Sequence, residues 1–372
     1  MNKSDSERIA SVLENKGYRP ASNENGADLI VVNMCSVRQS AVDRVYGLAP
    51  KFKKLKTKKP KLKTVLTGCI LKKDKKKFRE IFDSIWDLRN YFDIPPKCKS
   101  KPLAFVPISN GCNNFCSYCV VPFTRGALVC RDHKEILREV KNVVQKGLSP
   151  IRNAISNGAR EIWLLGQNVN DYQSPSLLRS KSEGKDERSS STHANPKINF
   201  AKLIKMINDI PGDFLIYFIS PNPKNFSDEL INTLAKCEKF GKYLNLPVQS
   251  GDDKILKKMN RPYTVEQYKS LVKKIREKMP GIRLSTDVIV GFPEETKKQF
   301  QNTVKLFKEI KFDNAYISKY SPRPGTAAFN LMKNNIPLAE KKRREKILRE
   351  ITEKIYSVRN PKTNGRKIYY GN

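Results

Sequence analysis

Cys112, Cys116 and Cys119 lie in the stretch Gly111-Cys112-Asn113-Asn114-Phe115-Cys116-Ser117-Tyr118-Cys119, a C-x-x-x-C-x-x-C spacing. Thiolates ligate iron–sulfur clusters, and a cubane cluster asks for four ligands, one on each iron. Three thiolates held on one short loop can take three irons and leave the fourth open to a chelating small molecule. The rivals are a zinc knuckle and three chance cysteines. Zinc sites close with a fourth Cys or His at regular spacing, and the only histidine that follows nearby is His133. The ligand rules favour the cluster.

Two further cysteines carry a weaker signal. The run Leu29-Ile30-Val31-Val32 predicts a buried parallel strand over 27–34, and 62–67 predicts a second. Cys35 and Cys69 then follow the carboxyl ends of two successive strands, the edge at which open parallel sheets bind ligands. A shared metal site and two buried structural cysteines both fit that placement. Cys98, Cys130 and Cys237 fall outside either pattern.

The 372-residue chain has room for two or three domains. Lysine and arginine number 72 against 37 acidic residues, a formal net charge of +35. Such an excess attracts polyanions, nucleic acid first, although basic runs such as 51–63 and 72–77 also fit solvated helix faces. Eight cysteines in a chain this long make no disulfide framework. The start, Met1-Asn2-Lys3-Ser4-Asp5-Ser6, is too polar for a signal peptide, and no apolar run reaches the ~20 residues of a membrane span. These features predict a cytoplasmic protein whose reduced thiols are free for metal.

Positioning the cysteines requires a frame. The first ~95 residues read as a small α/β unit, with helices over 4–16, 36–54 and 73–84 around the two strands. A Pro- and Lys-rich linker containing Cys98 follows over 94–102. Beyond it, strand runs at 103–108, 161–165, 214–219, 243–247, 283–290 and 314–320 alternate with helical patterns at 134–145, 200–209, 227–236, 265–278, 297–310 and 338–356. The class is α/β, an open parallel sheet followed by a partial (β/α)6 barrel, a relative of the (β/α)8 fold. The cysteine loop follows the first barrel strand, at the carboxyl end where such folds place their chemistry. Residues 173–197, Ser-, Lys- and Glu-rich and carrying His193, predict a mobile surface loop, and 148–156 reads as extra chain with no assigned role.

Several blocks together resemble one family, the radical S-adenosylmethionine methylthiotransferases, in its tRNA-modifying branch. They are Asn33-Met34-Cys35-Ser36-Val37-Arg38, Thr67-Gly68-Cys69, and the cysteine loop running into Val120-Val121-Pro122-Phe123-Thr124-Arg125-Gly126. Leu164-Leu165-Gly166-Gln167-Asn168-Val169, Leu246-Pro247-Val248-Gln249-Ser250-Gly251 and Met259-Asn260-Arg261 follow. Thr286-Asp287-Val288-Ile289-Val290-Gly291-Phe292-Pro293 and Tyr320-Ser321-Pro322-Arg323-Pro324-Gly325-Thr326 complete the set, in family order. The C-S-V-R and V-V-P-F-T-R-G wording is similar to the tRNA branch rather than to the branch that modifies a ribosomal protein.

The resemblance implies conversion of N6-isopentenyladenosine beside the tRNA anticodon to its 2-methylthio derivative, with S-adenosylmethionine as both methyl donor and radical source. A 4Fe-4S cluster on Cys112, Cys116 and Cys119 supplies the electron. Tyr118 is implied to lie against the cofactor's adenine, Gln167 and Asn168 at its amino-acid end, and Gln249, Asp287, Ile289 and Gly291 along the same edge. A second 4Fe-4S cluster is implied in the amino-terminal unit, where the family uses three cysteines; Cys35 and Cys69 match two. The third precedes a Met-Asn segment, the point at which this sequence starts, so this cluster is expected to lack one ligand and the unit its first strand. The implied division is 1–97 methylthiotransferase unit, 98–345 radical S-adenosylmethionine core, and 346–372 leading to a TRAM-like β-barrel that is absent here. Implied partners are the tRNA anticodon stem-loop and an electron donor such as flavodoxin or ferredoxin, with the protein a monomer away from membranes. The chain departs from the family at Ala127-Leu128-Val129-Cys130, at Asn222 (usually His) and at Glu294 (usually Gly). A degenerate tRNA-binding relative without sulfur insertion, and an enzyme acting on a ribosomal protein, are the alternative readings.

Overall fold

The computed structural model describes residues 1–92, 94, 102–145, 159–175 and 198–359. Cys98, most of the expected linker, residues 148–156, His193 with nearly all of its expected loop, and the chain beyond 359 lie outside the described residues.

Strands β1 (Leu29–Met34), β2 (Lys63–Gly68) and β3 (Ser84–Ile85) form a parallel sheet in that order, with Leu29 opposite Lys63 and Met34 opposite Gly68. The helix expected over 4–16 spans Asn2–Asn15. The single helix expected over 36–54 is two, Gln39–Tyr46 and Ala49–Lys58. Pro50 explains the break: it has no N–H for the preceding turn and suits the start of a new helix. The helix expected over 73–84 shrinks to a 3-10 turn, Lys72–Asp74, and one helical turn, Lys75–Phe78. Consecutive lysines there offer no apolar stripe, and β3 is too short for its period to show. Phe52, Phe78 and Phe82 fill the core of this unit, with Tyr46 stacked on Phe78 at 4.5 Å.

The remainder holds β4 (Leu103–Pro107), β5 (Ser109–Asn110), β6 (Val129–Cys130), β7 (Glu161–Leu165), β8 (Leu215–Phe218), β9 (Tyr243–Asn245), β10 (Arg283–Val290) and β11 (Asn314–Lys319). Two parallel three-stranded sheets form, β4-β7-β8 and β9-β10-β11. The chain just ahead of β9 ties them together: Ile216 N–H donates to the Lys239 carbonyl at 2.7 Å, and Gly241 N–H to that of Ile216 at 3.1 Å. Among the described residues no ladder joins β11 back to β4, so the barrel is open. Helices His133–Gln145, Phe200–Asn208, Asp228–Lys236, Val265–Lys278, Lys297–Ile310 and Leu338–Arg359 follow the strands in turn. Capping boxes at Thr264/Gln267 and Thr296/Gln299 start two of them. The antiparallel ribbon β5–β6 was not legible, since neither strand exceeds two residues.

The two units share a buried polar seam. Arg8 Nη2 lies 2.5 Å from Glu139 Oε1, and Arg131 Nη1 lies 2.8 Å from Glu139 Oε2. Among the described residues no helix is long and apolar enough to cross a membrane.

Candidate functional site

The cysteine loop leaves β5 at Gly111, whose φ of +80° is left-handed; a Cβ there would fall 2.1 Å from the Ala127 carbonyl oxygen. Gly111 N–H donates to Gln167 Oε1 at 2.6 Å, which pins the loop to the end of β7. The loop is also clamped onto the turn that carries Arg261. Ser117 N–H donates to the Met259 carbonyl at 3.0 Å and its hydroxyl to that of Lys258 at 2.7 Å. Asn260 Nδ2 reaches the carbonyls of Asn114 and Phe115 at 3.2 and 3.0 Å. The backbone of the cysteines is therefore fixed by at least two elements before any metal binds.

Donors point at the sulfurs themselves. Arg261 Nη1 lies 3.6 Å from Cys116 Sγ, and Asn114 Nδ2 lies 3.5 Å from Cys112 Sγ. Burial pushes the Cys112 thiol up and the Cys119 thiol up to about 12, with the neighbouring sulfurs adding repulsion between anions. An isolated thiolate is thus disfavoured, whereas a metal-bound one exchanges its proton for an iron. Among the described residues no three His, Cys, Asp or Glu side chains gather closely enough to hold a single metal ion. A cubane sets each thiolate on its own iron, so its ligands need not meet at one point. The donor set fits a 4Fe-4S cluster.

The expected cofactor edge is assembled in part. Tyr118 packs with Ile289 against Ile255, Met259, Phe292 and Tyr320, and burial pushes its phenol well up while the Arg261 charge opposes. Gln249 stands at φ +69°, in the left-handed region, between Asp287 and Ile289: its N–H donates to the Asp287 carbonyl at 2.8 Å, and its carbonyl accepts from Ile289 N–H at 3.0 Å. Asp287 accepts from Asn245 Nδ2 at 3.0 Å, and burial raises its carboxyl above the usual range. Gly291, φ +65°, donates to Glu295 Oε2 at 2.7 Å; a Cβ there would meet Lys341 Cγ at 2.4 Å. Gln167 spends its carbonyl oxygen on the loop. Asn168 donates to Asp171 and leaves its buried Oδ1 without a partner among the described residues.

Cys35 and Cys69 do follow the carboxyl ends of β1 and β2, where Met34 faces Gly68, and Cys69 N–H donates to the Met34 carbonyl at 3.0 Å. Burial pushes the Cys69 thiol up, opposed by the charge of Arg125. Two guanidiniums from the barrel reach this end of the sheet. Arg125 Nε lies 3.0 Å from Cys69 Sγ. Arg323, 2% exposed, gives one nitrogen to Gln39 Oε1 and leaves Nε and Nη2 unpaired among the described residues; the Ser36 hydroxyl is orphaned as well. Buried donors with nothing to donate to make room for an anionic group, as a thiolate-bound cluster would be.

Sequence reasoning assigned no chemistry to Arg125, Arg261 or Arg323, although each closes a quoted motif block or sits inside one. The available signal was a positive charge adjoining a conspicuous cysteine or glycine motif. Cys130 and Cys237 stay apart from both sites, Cys237 donating to Asn208 Oδ1 at 3.0 Å. Two departures have local accounts. Asn222 caps the 3-10 turn Pro223–Asn225 and exchanges hydrogen bonds with Asn170. Glu294 sits at φ +62°, a conformation natural to glycine, and ion-pairs with Lys258 at 2.6 Å.

The family model of the radical SAM superfamily matches residues 106–307, and that of the uncharacterized protein family UPF0004 matches residues 1–87. The tRNA-2-methylthio-N(6)-dimethylallyladenosine synthase of Clostridium tetani is 36% identical over 99% of this chain and 82% of its own length. Those of Clostridium novyi and Thermoanaerobacter sp. are both 37% identical over 99% of this chain, covering 82% and 79% of their own. Among solved structures, a radical S-adenosylmethionine methyltransferase from Kitasatospora setae aligns over 83% of this chain and 64% of its own, with TM-score 0.50 and 14% identity. A cobalamin-dependent S-adenosylmethionine radical enzyme aligns over 94% of this chain and 50% of its own, with TM-score 0.51 and 11% identity. These two likenesses speak for the fold alone.

Proposed function

The chain belongs to the family of tRNA-2-methylthio-N6-dimethylallyladenosine synthases, and on that premise we propose which of its residues carry the reaction. The protein is a radical S-adenosylmethionine methylthiotransferase that converts N6-isopentenyladenosine in tRNA to its 2-methylthio derivative. The observation that carries the site assignment is the clamped loop of Cys112, Cys116 and Cys119 at the carboxyl edge of the barrel, with Arg261 and Asn114 aimed at two of its sulfurs.

Those three cysteines would hold the 4Fe-4S cluster, and Cys35 with Cys69 would contribute to a second. When bound, the first cluster supplies an electron to S-adenosylmethionine, giving access to the unactivated C2–H bond of adenine that acid–base groups cannot break. Arg261 holds Cys116 and offsets the negative charge gathered there. Tyr118 and Ile289 offer the apolar wall for the cofactor's adenine, while Gln249, Asp287 and Gly291 shape the edge beside it. Asn168, with its orphaned oxygen, is the better candidate for the amino-acid end, because Gln167 is committed to Gly111. Residues 1–97 act as the methylthiotransferase unit, 98–345 as the radical core, and 346–372 as a helix end and linker leading towards a TRAM-like domain. We assign the anticodon stem-loop as the RNA element bound, flavodoxin or ferredoxin as electron donor, and a monomer working in the cytoplasm.

The test is anaerobic reconstitution of the full chain, with iron and sulfide counted. C116A should abolish the spectrum that S-adenosylmethionine perturbs, and C237A should leave it intact. Bound zinc in place of iron, or a cluster indifferent to C116A, refutes the site assignment. Mass spectrometry of digested isopentenylated tRNA reads the product.

A further inference from the structure

Arg125 lies beyond the last cysteine of the barrel loop, at the end of the one-turn helix Val121–Thr124, and its own N–H closes that turn onto the Val121 carbonyl at 2.8 Å. Its side chain leaves the barrel and enters the amino-terminal unit. Nη1 donates to Asn110 Oδ1 at 3.0 Å; Nη2 donates to Asn2 Oδ1 at 3.1 Å and to Asp5 Oδ2 at 2.7 Å; Nε donates to Cys69 Sγ at 3.0 Å. Arg125, Asp5 and Cys69 are 7%, 6% and 5% exposed, so these three members of the network are buried, while Asn2 is half-buried. A structural staple would need only the Asp5 and Asn contacts. The fourth contact sets a fixed positive charge, in a poorly screened environment, on a sulfur that becomes an anion whenever it ligates iron.

We infer that Arg125 is a positioning residue for the amino-terminal cysteine site, holding the Cys69 sulfur through Nε and setting the reduction potential of iron bound there. The inference rests on the reading of Cys35 and Cys69 as cluster ligands. Hydrogen bonds to ligand sulfurs and the local net charge are the levers by which a protein tunes a cluster's potential. Reduction adds an electron, so a neighbouring cation favours the reduced form and a neighbouring carboxylate opposes it. Arg125 and Asp5 therefore act with opposite sign on the same sulfur, although both belong to one hydrogen-bonded network. The same arginine also ties the loop of Cys112, Cys116 and Cys119 to the second cysteine pair through a single side chain.

The test uses the full chain carrying C112A, C116A and C119A, which empties the barrel loop, reconstituted anaerobically with ferrous iron and sulfide. Iron content and the midpoint of an electron-spin-monitored redox titration are read. The parent should bind iron, C69A should lose most of it, R125Q should shift the midpoint to more negative potential, and D5N should shift it to more positive potential. R125K, which keeps the charge without the fork, should fall between parent and R125Q, and it replaces R125Q if that variant fails to fold. Iron in the parent with one midpoint shared by all the Arg125 and Asp5 variants overturns the inference and leaves Arg125 a staple. A parent without iron shows that Cys35 and Cys69 do not suffice to hold iron in this chain, and the inference falls.

Discussion

Glu139 is one of two buried carboxylates on which the two units meet, and replacing it by alanine should weaken their coupling. Its two oxygens face Arg8 at 2.5 Å and Arg131 at 2.8 Å, with all three side chains at most 4% exposed. Removing one member of a buried ion pair costs roughly 3–5 kcal/mol, because the partner charge stays buried. Here two guanidiniums would be left facing each other. Both keep carbonyl partners, Arg8 at Ile94 and Arg131 at Pro107, which places the loss towards the lower end, about 3 kcal/mol. With a urea slope of about 3 kcal/mol per molar, that lowers a midpoint by about 1 M. The chain's two tryptophans make the assay specific. Trp86 follows β3, and Trp163 lies in β7, stacked on Tyr217 at 4.6 Å. Single-tryptophan versions, W163F and W86F, report each unit separately. The E139A background should pull the Trp86 transition below that of Trp163, and E139Q, which keeps the shape and one acceptor, should lose less. Coincident transitions at the parental midpoint in E139A refute the reasoning.

Three further outcomes follow from particular contacts. R323M removes a buried guanidinium with two unpaired nitrogens and should stabilise the metal-free chain, by about 1–3 kcal/mol on the usual cost of a buried unsatisfied group; a lower thermal midpoint contradicts it. G111A forces a Cβ to within 2.1 Å of the Ala127 carbonyl at a left-handed φ, so reconstituted iron at the barrel site should fall while far-ultraviolet circular dichroism is retained; full iron loading contradicts it. Lys53, Lys54 and Lys58 lie exposed on the helix Ala49–Lys58, and K53E/K54E/K58E should flatten the salt dependence of tRNA binding by about 2 in log–log slope, at about 0.7–0.9 per phosphate contact. An unchanged slope makes that face a solvated surface only.

The long alternating elements of the barrel were legible because each apolar strand carries its own period and each following helix has a wide apolar stripe. Val265–Lys278 and Lys297–Ile310 were read to the residue. The amino-terminal unit was read less well, because lysine runs mask the short turn Lys75–Phe78 and a two-residue strand has no period at all. Spacing singles out Cys112, Cys116 and Cys119 as a candidate ligand set, since ligand spacing is read along the chain. It could not reveal the contacts that support them. Arg261 approaches Cys116 from a separation of 145 residues, Arg125 approaches Cys69 from 56, and Gln39 meets Arg323 across 284. Gln167 shows the converse. Its place in the motif points to the cofactor, yet the fold uses its side chain to hold Gly111.

The seam between the units has a consistent chemistry. Arg8 reaches Glu139, Arg125 reaches Asp5 and Cys69, and Arg323 reaches Gln39 with buried guanidiniums, while Arg38 reaches Ser318 at 3.2 Å on the exposed rim. Buried ionic contacts are poor sources of stability, since desolvation consumes most of the Coulomb gain. An apolar seam of equal area would hold the units at least as firmly, but it could slide by a residue at little cost. These directional contacts are made together in one register only, and a slip would leave the buried Arg8 and Arg125 guanidiniums unpaired. That register sets the carboxyl ends of β1 and β2, with Cys35 and Cys69, against the loop that follows Cys119. Through Arg125 the seam thereby holds Cys69 at a fixed position relative to the loop that carries Cys112, Cys116 and Cys119.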